Sequence, residues 1–146
     1  MELKPKYGID KLIFGMKQKD VTAVYGEPDK RFKDDEKNII YVYDIPKLRL
    51  TFYEDEEMML GYIISANPHL EFFGKKIVGR TVAEVKEEFQ NNGIKSWEKE
   101  DFDLAENHFN EENWLVLQSE FGTIAKVELG AIINAKDEFE WKFKSK

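Results

Sequence analysis

No cysteine occurs anywhere in this chain, and histidine occurs only twice. The first absence excludes a disulfide framework, a thiolate metal site and a lipoprotein cysteine. The second leaves little to build a histidine metal centre from: His69 and His108 have no partner at metal-ligand spacing. Long apolar runs are also missing. The opening Met1-Glu2-Leu3-Lys4-Pro5-Lys6-Tyr7-Gly8 holds no apolar segment of signal-peptide length, and nothing later reaches the length that spans a bilayer. The expectation is a cytoplasmic chain without membrane contact.

The signatures of chemistry are equally sparse. The four serines, Ser65, Ser96, Ser119 and Ser145, lie in no nucleophile-elbow context. Gly74-Lys75-Lys76-Ile77-Val78-Gly79 has its lysines and glycines in the wrong order for a phosphate loop. The acidic run Glu54-Asp55-Glu56-Glu57 lacks the alternating ligands and glycine of a calcium loop and reads as a solvated hairpin turn. Carboxylates such as Glu106 and Glu128 could be paired on paper, but a catalytic pair needs two environments that push its pKa values apart. The expectation is a chain that is not an enzyme and uses no cofactor or metal.

What is present is a foldable composition. Of 146 residues, 42% are hydrophobic and 14% aromatic, enough for a single domain of this size to bury a core unaided. The formal charge of −7, from 29 acidic and 22 basic residues, repels phosphate backbones and anionic lipid. Nucleic acid and membrane are therefore not expected as partners. A basic protein, a toxin or an enzyme, is the natural electrostatic complement.

The chain also resembles itself. Gly15, Val21 and Tyr25 recur as Gly79, Val85 and Phe89, each 64 positions later (79 − 15, 85 − 21, 89 − 25). In each copy a short apolar stretch reaches the glycine, then a polar turn, then apolar residues three or four apart, as in a short amphipathic helix. Thr81 followed by Glu84 forms a capping box, whereas Met16-Lys17-Gln18 lacks the Ser/Thr cap that Thr81 supplies. A charged connector and three alternating runs follow each helix: 38–45, 48–54 and 59–66, then 102–109, 114–120 and 123–133. Phe139-Glu140-Trp141-Lys142-Phe143 adds a last alternating stretch. The predicted fold is α+β: one domain over 1–146 made of two tandem helix-plus-strand repeats, about 8–67 and 68–146, sharing one antiparallel sheet with the helices on one face.

The run Phe14-Gly15-Met16 through Asp20-Val21 to Tyr25-Gly26-Glu27-Pro28 resembles the opening of the BamE/SmpA-like outer-membrane assembly fold. Its duplication resembles the β-lactamase inhibitor protein architecture and small bacterial immunity proteins. The resemblance implies a protein that neutralises a cognate partner by occlusion. Two alternatives stay open: an envelope-assembly scaffold, and an enzyme with carboxylates in a cleft between the copies.

Strand alternation supplies the candidate surface. With Leu48, Leu50 and Phe52 turned toward the helices, Arg49 and Tyr53 point away. With Ile40 and Val42 inward, Tyr41 and Tyr43 point away. Tyr62 and Trp114 join them by the same reasoning, and Glu54 and Glu56 form an acidic rim. Tyr, Trp and Arg dominate binding hot spots, so these eight residues are the expected protein-binding site.

Overall fold

The computed structural model describes residues 1–144. Three two-residue strands, β1 (Leu3–Lys4), β2 (Gly8–Ile9) and β3 (Leu12–Ile13), form a small antiparallel sheet and lead into helix α1 (Gln18–Tyr25). Strands β4 (Lys30–Lys33), β5 (Ile39–Tyr43), β6 (Leu48–Tyr53) and β7 (Met59–Ser65) follow, with a single 3-10 turn at Glu54–Glu56. The ribbon β8 (Glu71–Phe72) and β9 (Lys75–Lys76) leads to α2 (Val82–Asn91). The chain then forms β10 (Glu98–Phe102), β11 (Ala105–Asn110), β12 (Leu115–Glu120) and β13 (Thr123–Gly130). The eight strands from β4 to β7 and β10 to β13 make one antiparallel sheet in the order β10-β11-β12-β13-β7-β6-β5-β4.

This corrects the expected fold class. The described residues are mainly β: they hold two helices, 8 and 10 residues long, against an eight-stranded sheet, and the predicted α+β units of a helix and three strands do not describe them. The charged connectors hold two further strands, β4 and β10. Every residue in both is exposed, so neither carries the alternation that marks a half-buried strand. The helices are too short to form a layer of their own. Val21 is the buried residue of α1, and Val85 and Phe89 are those of α2.

Local chemistry explains both helix starts. The Asp20 carboxylate, at the third helical position, accepts the amide of the N-cap residue Lys17 at 2.9 Å. The Thr81 hydroxyl accepts the Glu84 amide at 3.3 Å and donates to the Glu84 carboxylate at 2.8 Å. The stretch Phe139–Phe143 is not a strand. It docks instead on the segment before α1, where the Lys142 and Phe143 amides both donate to the Phe14 carbonyl at 3.0 Å. Gly15 permits this approach: it has φ 106°, and a β-carbon there would lie 3.1 Å from Cβ of Trp141. The glycine of the Phe14-Gly15-Met16 motif thus has a local packing role.

One buried cluster runs from Leu3 through Leu50, Phe52, Ile63 and Phe89 to Leu117, Val127 and Ala131, between the helices and one face of the sheet.

Candidate functional site

Residues directly paired across an antiparallel ladder share a face, so the registers fix which side chains meet. Tyr41 pairs with Leu50 and Tyr43 with Leu48, and both leucines lie in the core beneath the helices. Tyr41 and Tyr43 therefore point toward the helices and are 1% and 4% exposed, which removes them from the predicted open surface. Their hydroxyls reach up to α1: Tyr41 donates to Gln18 Oε1 and Tyr43 to the Gly26 carbonyl, each at 2.8 Å. Burial pushes the Tyr43 hydroxyl up to about 12. The phase error has a physical source. Ile39-Ile40-Tyr41-Val42-Tyr43 is apolar on both faces, and tyrosine buries well when its hydroxyl finds an acceptor.

The opposite face carries Arg49, Tyr53, Tyr62 and Trp114 together. One transverse row runs Lys30, Val42, Arg49, Ile64, Glu128, Val116, Phe109 and Glu98, each directly paired with the next. A second runs Phe32, Ile40, Thr51, Tyr62 and Gly130. The Arg49 guanidinium sits 5.5 Å from the Phe32 ring centre. The Tyr62 hydroxyl donates to Glu128 Oε1 at 2.6 Å; burial and that carboxylate both raise its pKa. The ring of Tyr53 covers Gly61, and that of Trp114 covers Gly130 and meets Phe109 edge-on at 5.1 Å. Trp114 remains 41% exposed. Glu54 and Glu56 sit in the 3-10 turn that follows Tyr53.

Under α2 the structure assembles a polar group that sequence reasoning did not find. His108, 3% exposed, places Nε2 3.1 Å from Ser119 Oγ and 3.6 Å from Glu106 Oε1. Lys99 Nζ lies 3.2 Å from Glu106 Oε2. A relay of the serine-protease kind needs the serine and the carboxylate on opposite ring nitrogens. Here both face Nε2, Nδ1 is buried without a partner among the described residues, and Ser119 is fully buried. Burial, and after it the charge of Lys86, hold the His108 pKa below its ordinary range. The available signal was the alternation of Glu106, His108 and Asn110 along β11. Glu106 and Glu128 cannot converge, because Glu106 pairs with Ser119 on the helix side while Glu128 pairs with Val116 on the open side. Among the described residues no group of three or more His, Asp or Glu side chains is placed to hold a metal ion.

No protein-family model matches the chain, and no curated protein matches it. Among solved structures it is similar to an extracellular protein containing an SCP domain from Bacillus anthracis str. Ames. The TM-score is 0.53 and the identity 13%, over 88% of this chain and 49% of that one. It also matches a cysteine-rich secretory protein from Staphylococcus aureus subsp. aureus Mu50, with TM-score 0.48 and 14% identity over 80% of this chain and 42% of that one. The chain thus spans about half the length of the first of these and less of the second. The likeness to the Bacillus anthracis structure replaces the β-lactamase inhibitor and BamE-like resemblance, and with it go the inhibitor, immunity and assembly-scaffold readings. What the chain shares with the Bacillus anthracis protein is its fold, over about half of that protein's length.

Proposed function

We propose that this chain is a binding module that takes a protein partner on the sheet face opposite its helices. The observation that carries the reading is the gathering of Arg49, Tyr53, Tyr62 and Trp114 on one face, with Trp114 and Phe32 left partly open to solvent. Residues of these types supply rigid contact area with a polar tip. Tyr53 and Trp114 are held in place by the glycines beneath them, so little side-chain freedom is lost on binding. The acidic turn at Glu54 and Glu56 and the net charge of −7 favour a basic partner and speed its encounter. Binding and not catalysis is the role assigned, and the buried Ser119 and His108, with the partly exposed Glu106 beside them, are given a structural part in it.

The test is site-specific photo-crosslinking in the native cell. A benzophenone side chain at Arg49 or Val116 is expected to give one discrete adduct that excess purified chain competes away. The same group at Glu87 or Gln90, on the exposed side of α2, is expected to give none. Equal adducts from both faces, or none from either, would overturn the proposal.

A second reading follows from the similar solved structure, which is an extracellular protein about twice as long. On that reading the module works outside the cell within or beside a larger protein, rather than in the cytoplasm. Fractionation of the native host distinguishes them.

A further inference from the structure

The eight-stranded sheet is open, and its two terminal strands have opposite chemistry. Strand β4 is Lys30-Arg31-Phe32-Lys33, and β10 is Glu98-Lys99-Glu100-Asp101-Phe102. Each pairs with one neighbour only, each is exposed at every position, and no described segment covers either edge. A free edge offers a row of unpaired amides and carbonyls to any strand that can approach. Edge charge normally blocks that approach, since like charges meeting across a new ladder repel. Here it blocks β4 from β4 and β10 from β10, but it attracts β4 to β10.

Geometry favours the same pairing. All seven ladders of the sheet are antiparallel, so β4 and β10 run in opposite directions. Displacing one copy sideways along the sheet therefore brings its β10 antiparallel to the β4 of its neighbour, with the helices of both on the same side. A register that sets Lys33 opposite Asp101 also sets Phe32 opposite Phe102. Phe32 and Phe102 both lie on the open face and are exposed in the single chain. Leu104 and Phe121, exposed on the two hairpin tips beside the end of β10, add apolar surface there.

We infer that copies of this chain associate head to tail, the basic β4 edge of one seating on the acidic β10 edge of the next. The contact joins two different surfaces and does not close on itself, so association proceeds in linear fashion. It uses the sheet edges and shares only Phe32 with the binding surface proposed on the open face, so it is tested separately from the partner assigned there.

Sedimentation velocity over a series of protein concentrations tests this. The wild-type chain is expected to gain mass with concentration at low salt and to lose it near 1 M salt, where the screening length falls to about 3 Å. Arg31→Glu with Lys33→Glu makes both edges acidic. Glu100→Lys with Asp101→Lys makes both basic. Each variant alone is expected to stay monomeric, and an equimolar mixture to assemble, because each then offers the edge the other lacks. Circular dichroism melts verify that both variants fold, and Phe102→Glu supplies a further variant expected to weaken association at least tenfold. A wild-type chain that stays monomeric at every concentration would overturn the inference. So would variants that assemble alone as well as the wild type, or a mixture that remains monomeric.

Discussion

The indole of Trp114 occupies the space that a β-carbon on Gly130 would need, and the ring of Tyr53 does the same at Gly61. In both places an aromatic side chain lies across a glycine of the neighbouring strand on the open face. The glycine leaves a hollow in the pleat, and the ring fills it.

Gly130→Ala should therefore push the Trp114 ring off its seat. Overpacking of this kind costs about 1 to 3 kcal/mol, and the displaced indole becomes more solvated. Urea melts should show the loss, with a red shift in tryptophan emission. Unchanged stability and emission would mean that the ring does not depend on that glycine.

The helix face makes a matched prediction. Phe89 is buried against Phe72 and Trp97, at ring-centre distances of 4.3 and 5.9 Å. Phe89→Ala should cost about 3 to 5 kcal/mol through lost transfer energy and the cavity left behind. Glu87→Ala, on the exposed side of the same helix, should be nearly neutral. Denaturant unfolding of the two variants checks the helix phase.

Tyr41 and Tyr43 separate the two faces by mutation. Tyr41→Phe removes one hydrogen bond to Gln18 and should cost about 0.5 to 1.5 kcal/mol of stability, with no effect on partner affinity. A change in affinity without a change in stability would place Tyr41 back on the open face.

The buried imidazole predicts a pH dependence. Burial and Lys86 hold the His108 pKa below its ordinary 6.5, so the folded state binds fewer protons than the unfolded chain at mildly acidic pH. Its contribution to stability is complete above 6.5 and is lost as pH falls through the lower folded-state value. His108→Gln should flatten this part of the stability profile, as read from urea midpoints between pH 8 and pH 5. An unchanged slope would assign the dependence to other groups.

The central strands were legible because each has one buried and one open face. Leu48, Leu50 and Phe52 alternate with Arg49, Thr51 and Tyr53, and the structure keeps that alternation. Strands β4 and β10 were not legible, because an edge strand exposed on both faces has no period for the sequence to show. Strand β5 was legible as a strand but not in phase, since both of its faces are apolar and the deciding contacts are tyrosine hydroxyls reaching α1. Of the predicted surface residues, Arg49, Tyr53, Tyr62 and Trp114 lie together on the open face. The His108 group was hidden because it depends on the register between β11 and β12 and on Lys86 of α2, neither of which a local pattern encodes.

The most direct measurement is the affinity of the Trp114→Ala and Arg49→Ala variants for the partner captured by crosslinking on the open face. Thermal melts run alongside show that both variants remain folded. The account predicts that each substitution weakens the complex by about 2 kcal/mol, close to thirtyfold in Kd, mainly through faster dissociation. Unchanged Kd in both variants, with the same partner and intact folding, would contradict the assignment of the open sheet face as the binding surface.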